Sequence, residues 1–504
     1  MQQARAQNGG AAQEPSSLKW WVLVTVIIGT FLGRLDQTIV NLALPKMIDD
    51  FQITVTSAAW IATAYILANA IFVPIWGKLG DTLGRKKIYI LGFSIFMFGS
   101  LLAGFAWNLS SMIVFRVIQA VAASADYPTA MAILAITFPA GRPRAQALGI
   151  WSSSFAAASV FGPLIGGPLI DAMGWRWVFF INIPVGIVGL LMALTFVRES
   201  VDSSASHKFD WWGSITLGVS LSALVLVLDR GLDWGWFSWG SVACYLTAAA
   251  FLAVFIRLEL RHAEPVVDLK FFKSSVFTNT LINNFLVFMG MMGSFFLIPI
   301  FAQTFLGYDA TQTGYLFIPM AFMIVLAAPL GGMLTGKVQS RYVIAASTAV
   351  AAFGVFLLSF LDPRSTAWGI MIPLAVMAFG MGFGMSQRTN AIAAAVPDEE
   401  IGIASSVLAL ARNIAGAFGV AVFGTIQQNL TESNVMNLAL QSAIRGASPL
   451  VRQIGIGLII LKAQVQAYDS VFWIAAIVLF VGALTSFWIK IPRELEKSGA
   501  VMVE

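Results

Sequence analysis

Asp36, Arg116 and Asp126 are ionisable side chains set in stretches of sequence that are otherwise apolar. A carboxylate in the interior of a bilayer-crossing helix costs about 2.5 to 3.5 kcal/mol even on lenient insertion scales. It must therefore have a partner, a watery cavity, or a proton that it takes up and releases. Depth arithmetic pairs two of the three groups. Asp36 lies about 12 Å below the outer end of its run, near Leu44, and Arg116 about 10 Å below the outer start of its own, near Leu109. At matching depth a guanidinium can hold the carboxylate charged, and moving it away or drying the pocket toggles the proton. Asp126 follows Gln119 on one helical face, with Tyr127 and Pro128 beside it. It is open to three readings: a cation site, a second proton site, or a structural group, hydrogen-bonded to a neighbouring helix or paired with Arg34. Arg34 and Arg412 complete the buried set, two acids against three arginines, so a cationic cargo cannot be assumed.

These residues need membrane helices to position them. The chain has 504 residues, 58% hydrophobic and 11% charged, where a soluble protein has roughly a quarter charged. We expect an all-α integral membrane protein. Windows of about 19 residues give fourteen spans, beginning near Trp20, Thr54, Lys87, Leu109, Ala145, Trp177, Trp211, Trp239, Val276, Gly314, Tyr342, Ala367, Ile401 and Tyr468. The stretch Gly77 to Lys87 (GKLGDTLGRKK) carries one Asp and four Lys/Arg, so it is a turn at one membrane face, and its positive charge makes that face cytoplasmic. Counted on that basis, twenty basic residues, Arg388 among them, fall inside and seven outside. Both termini are then cytoplasmic, in a multi-pass protein of the inner (cytoplasmic) membrane. Tryptophans at span ends, among them Trp20, Trp76, Trp107, Trp175, Trp239 and Trp488, fit the headgroup zone.

The turn after span two has a weaker counterpart after span ten, Gly331 to Arg341 (GGMLTGKVQSR). It divides the chain into a cytoplasmic tail (1–18), a six-helix bundle (19–198), a linker with two extra spans (199–274), a second six-helix bundle (275–490) and a second tail (491–504). Part of the external segment 428–466 is expected to form a helix on or near the outer surface. Parallel halves of this kind suit a rocking, alternating-access carrier.

Four stretches in order carry a family resemblance. Leu35 to Pro45 (LDQTIVNLALP) is similar to a first-helix signature, and the Gly77 turn to a G-x-L-a-D-r-x-G-r-k-x pattern. Arg116 and Gln119 match in span four. In span five Gly149, then Gly162, Pro163, Gly166 and Gly167, resemble spaced glycines ending in G-P-x-x-G-G. Together they resemble the fourteen-helix drug:proton antiporter branch of the major facilitator superfamily. Ala120, Ala122 and Ala158 depart from its glycines but stay small. The resemblance implies the major facilitator fold, proton coupling at Asp36 and Arg116, and a cytoplasmic latch at Gly77, Gly80, Asp81, Gly84 and Arg85.

The remaining candidates line or flank a cavity. Asn283, Asn284, Met292, Phe296 and Gln303 lie on span nine, where adaptable Met and Phe suit a promiscuous pocket. With Arg34, Gln119 and Arg412 they form the expected substrate cavity. Gly331, Gly336 and Lys337 mimic a phosphate loop, but Val338 stands where Ser or Thr must hold Mg²⁺, and no strand precedes it. One cysteine, Cys244, and two loop histidines, His207 and His262, offer no metal site. The basic residues are scattered over short loops, with no contiguous face for nucleic acid.

The expectation is a proton-coupled antiporter exporting amphipathic small molecules. It needs no cofactor and is not an enzyme. Its partners are protons, membrane lipids and the cargo, in a monomer with room for accessory export partners. The alternatives are a proton-coupled carrier of an endogenous envelope lipid or metabolite and, in another class, a membrane channel or sensor.

Overall fold

A computed structural model describes residues 16–138, 142–201, 210–262, 265, 267–334, 337–396, 401–442 and 449–491. The tails expected at 1–18 and 491–504, and His207 and Gly336, lie wholly or almost wholly outside them. The described chain is helical from end to end. The first half holds α1 (Ser16–Phe51), α2 (Val55–Leu83), α3 (Arg85–Gly104), α4 (Leu109–Ala123), α5 (Asp126–Thr137), α6 (Arg142–Met173), α7 (Trp177–Phe180) and α8 (Asn182–Phe196). Two further helices follow, α9 (Trp211–Trp234) and α10 (Trp239–Glu259). The second half holds α11 (Ser275–Phe305), α12 (Ala310–Tyr315), α13 (Ile318–Gly332), α14 (Ser340–Leu358), α15 (Ala367–Ala393), α16 (Ile401–Gln441) and α17 (Pro449–Thr485).

Among the described residues thirteen helices are long and apolar enough to cross a membrane, counting α4–α5, α7–α8 and α12–α13 as single crossings. The helix α6, with Pro163 and Pro168 inside it, packs along α1 and α12 and makes the fourteenth. With no water at depth every backbone group must be satisfied within the chain, and helices do this segment by segment. Polar caps stop them where water returns. Thr54, Ser238, Ser274 and Asp309 each accept a backbone N–H at a helix start, and Asn108 forms a capping box with Ser111.

We call the end of the bundle where α1 begins and α17 finishes the terminal end, and the opposite one the far end. A continuous buried cluster joins the halves, running from Ile39 and Phe179 to Phe301 and Phe472. The inserted pair packs α9 on α10 and leans α9 against both α2 and α16.

Two expectations need correction. The segment 428–466 is not a helix lying along the surface. It continues α16 and α17, helices of 41 and 37 residues, or about 61 and 55 Å against a hydrocarbon core of about 30 Å. The pair is tied by Asn434 donating to the carbonyl of Ala463. Nor do Trp76 and Trp175 sit as interfacial anchors. Both are buried, and each indole N–H finds an acceptor, the carbonyl of Val121 for Trp76 and the exposed Asp50 carboxylate for Trp175.

Candidate functional site

Asp36 is completely buried. Its carboxylate accepts from Arg116 Nη1 at 2.6 Å, from Gln119 Nε2 at 2.9 Å and from Asn182 Nδ2 at 2.9 Å. Ser100 joins the cluster as an acceptor from both Gln119 and Asn182. The guanidinium of Arg116 is held in turn by the Gln119 carbonyl oxygen at 2.5 Å and lies 3.9 Å from the Tyr65 ring centroid. Four elements, α1, α3, α4 and α8, thus converge on one charge. A buried ion pair is better tolerated when its spare lone pairs are also bonded, and both oxygens of Asp36 are. Asn182 and Ser100 were not among the sequence candidates. A buried Asn in an apolar run was their only signal.

The glycines bring these helices together. A Cβ on Gly99 would meet the backbone of Gln119 at 2.9 Å, and one on Gly166 would meet Ile39 at 2.7 Å. Close backbone approach through small residues is the usual device of membrane helices.

Between the halves lies a cavity of about 200 Å³ lined by Gln37, Thr38, Tyr65, Arg116, Met292 and Phe295, with Phe317, Met320 and Met381 opposite. Arg116 borders this space, and Asp36 stands behind it in the first half. A second hollow, about 560 Å³, opens at the far end and includes Gln303. It holds neither Asp36 nor Arg116, so the smaller cavity is the one placed for chemistry.

The far end is closed across the halves. Thr311 donates its backbone N–H and hydroxyl to Asp171 at 2.8 and 2.6 Å, Gln303 donates to the carbonyl of Leu42 at 3.0 Å, and Thr56 bonds Gln428. Gly167 lets Thr311 approach, since a Cβ there would meet the Thr311 backbone at 2.5 Å. Pro163 contacts Gly314 through its carbonyl, and Gly162 faces Thr38.

The other candidates are dispersed. Gln119 belongs to the Asp36 cluster and does not line the cavity. Asn283 turns into the second half, where it donates to the carbonyl of Gly482 and accepts from Arg388 Nε at 2.8 Å. Phe296 is buried in the α11–α16 seam beside Gly424. Asn284 is completely buried. Arg34 donates to Gln37 at 3.3 Å, and Arg412 lies 5.3 Å from the Phe288 ring centroid. Arg388, counted with the inner loops, is instead buried in α15 and donates to Asn283 and Thr348. The window placed it in a loop because it falls near a span end, but α15 continues past it to Ala393.

Asp126 and Gln119 both turn toward α1, at Thr30 and Asp36, but they stand on two helices and not on one. The helix breaks at Ser124 and Ala125, because Pro128 has no N–H to return to the Ser124 carbonyl. On α1 the Asp126 Oδ2 accepts from Thr30 at 2.7 Å, and Thr30 accepts from Trp151 Nε1 at 2.9 Å. Its Oδ1 is buried with no hydrogen-bond partner among the described residues.

In the Gly77 turn, Gly84 has φ +114°, a conformation that glycine alone adopts easily. Beside it Glu199, unforeseen from sequence, accepts from the backbone N–H of Lys86 and Lys87 at 3.0 and 3.1 Å, capping α3. A Cβ on Gly77 would meet Pro128 at 3.4 Å and one on Gly80 would meet Thr129 at 3.3 Å, and the Arg85 N–H bonds the Ser200 carbonyl. The Asp81 side chain and the surroundings of Gly149 lie outside the described residues.

Residues 26–420 match the sequence pattern of the Major Facilitator Superfamily. The chain belongs to that superfamily. Among curated relatives it is 33% identical over 430 residues to the multidrug transporter protein MdtP of Bacillus subtilis, covering 84% of this chain and 78% of the relative. It is 31% identical over 404 residues to the multidrug resistance protein Stp of Mycobacterium tuberculosis, covering 80% and 75%. The major facilitator fold also appears in a bacterial homolog of the human lysosomal transporter Spinster, with a TM-score of 0.66, 17% identity and coverage of 94% and 98%. This member of the superfamily is a multi-pass membrane transporter of small molecules. Among its described residues no three His, Cys, Asp or Glu gather as a metal site.

Proposed function

We propose that the protein is a proton-coupled antiporter exporting amphipathic organic compounds across the cytoplasmic membrane, with both termini in the cytoplasm. One observation carries the reading: a completely buried carboxylate whose arginine partner forms part of the cavity wall. Asp36 is charged while Arg116 holds it. Cargo that draws the guanidinium into the cavity strips that partner away, and the carboxylate must then take a proton, because a lone charge in this cluster is uncompensated. Return of Arg116 releases it. Proton and cargo thus compete for one arginine, which makes the exchange obligatory.

The far-end closure supports a state open toward the cytoplasm, and rocking the halves would exchange it for closure at the terminal end. Asp126, joined to α1 and α6 through Thr30 and Trp151, is a second protonatable group on that path. The Gly77 turn, with Asp81, acts as the cytoplasmic latch. The domain limits 19–198 and 275–490 follow the two halves that rock. The basic residues support the orientation: with Arg388 moved into the membrane, nineteen remain inside against seven outside. The names of the relatives MdtP and Stp favour foreign amphipaths over an envelope lipid.

The test is flux in proteoliposomes with an imposed pH gradient and a panel of cationic, neutral and anionic amphipaths. Uphill movement that stops when the gradient is collapsed is expected. Movement indifferent to the gradient would sink the coupling.

A further inference from the structure

The arginines buried among the described residues are compensated unevenly. Arg116 is neutralised by Asp36, and Asp126 lies within electrostatic range of Arg34. Arg388 and Arg412 meet no carboxylate among the described residues. Arg388 spends its Nε and Nη2 on Asn283 and Thr348 at 2.8 and 2.7 Å. Arg412 does not, for its Nε is sealed from solvent with no hydrogen-bond partner. An uncompensated guanidinium at depth is costly and marks a place where an anion can enter.

The surroundings of Arg412 complete such a place. The helices α11 and α16 run parallel, with Phe288 at Arg412, Met292 at Gly416 and Phe296 at Gly424. One turn from Phe288 along the same face is Asn284, completely buried, with neither its amide nitrogen nor its oxygen bonded. Two unsatisfied polar side chains therefore share one seam, although buried polar groups are nearly always paired. Arg412 stands within electrostatic range of Arg34 and Tyr127 of the first half. One turn toward the far end, about 6 Å along the axis, Met292 lines the cavity with Phe295, Met320 and Met381.

We propose that Arg412, assisted by Asn284, is the docking point for an acidic group on the cargo, whose apolar body lies in the methionine-lined cavity. The transporter's preferred cargo is then an amphipathic monoanion. A guanidinium presents two parallel donors to a carboxylate, and the Asn284 amide adds a third, so all the open donors would be satisfied at once. The cargo also brings a negative charge to Arg412, which meets no carboxylate among the described residues. The cargo class rests on the export reading, whereas the anion site is open to a binding test of its own.

That test uses purified full-length protein in a neutral detergent and three water-soluble probes: phenylhexanoate, its methyl ester and phenylhexylammonium. Calorimetric titration is expected to show the acid binding about tenfold more tightly than the ester, which corresponds to about 1.4 kcal/mol. The ammonium should bind most weakly. In R412Q the ratio of acid to ester affinity should fall to about one, and in R412K it should be intermediate. N284L should lower it about threefold, which keeps the proposal testable should R412Q not fold. Equal affinity for acid and ester in the wild type, or an unchanged ratio in R412Q or N284L, would overturn it. Flux separates the two claims. Gradient-driven export of a neutral probe with no acid preference refutes the anion site alone, and acid binding through Arg412 with no gradient-driven flux of any probe refutes the export reading alone.

Discussion

In each half the fourth crossing sends a buried arginine back to the first, yet the two pairs differ in kind. Arg116 reaches a carboxylate, Asp36, at 2.6 Å, and Arg388 reaches an amide oxygen, Asn283, at 2.8 Å. A carboxylate can gain and lose a proton, and an amide cannot. On the proposed coupling the first half changes charge, whereas the second holds a fixed one. Similar packing thus supports a moving part and a static part, separated by one functional group.

The strongest way to break this contrast is Asp36→Asn, which gives the first half the pairing of the second. Gradient-driven export should fall by about a hundredfold, or about 2.7 kcal/mol, while cargo binding persists because shape and hydrogen bonding are kept. Flux assays beside binding titrations check it, and undiminished uphill transport would rule out Asp36 as the proton carrier. Asn283→Leu acts on the static pair. It leaves Arg388 Nε without its partner and should cost roughly 1–3 kcal/mol of stability, seen as a lower melting temperature in detergent. The proton dependence of transport should not change, and a shifted dependence would erase the distinction between the halves.

Gly167→Ala tests the seam where the halves meet. A methyl there would meet the Thr311 backbone at 2.5 Å, and backbone cannot swing aside. The far end should open, moving the balance of states by about tenfold, or about 1.4 kcal/mol. Spin-label distances across the far end measure it, and unchanged distances would mean that the contact does not hold the closure. The smallest effect is expected from Glu199→Ala, which removes the cap of α3 and should cost about 1 kcal/mol by thermal unfolding. It acts within the first half, so neither coupling nor cargo preference should follow it.

Much of this was legible beforehand, and the reasons are local. Helix type, number and order follow from apolar runs, because lipid leaves no alternative backbone arrangement. The pairing of Asp36 with Arg116 followed from rise per residue alone. What failed was whatever depended on neighbours not adjacent in sequence. Window hydropathy placed Arg388 in a loop, and helical periodicity ran a single helix through the break at Ser124 and Ala125. Asn182 and Glu199 gave no pattern to read, since each is defined by the side chain or helix start it meets.

The sequence by itself determined a helical membrane protein of fourteen crossings with acids and arginines at stated depths, because hydropathy and rise per residue act along the chain. Only the tertiary structure decided which charges are compensated. Asp36 gathers donors from α4 and α8, and Arg412 and Asn284 are left unsatisfied between α11 and α16, because compensation depends on which faces of separate helices are brought together.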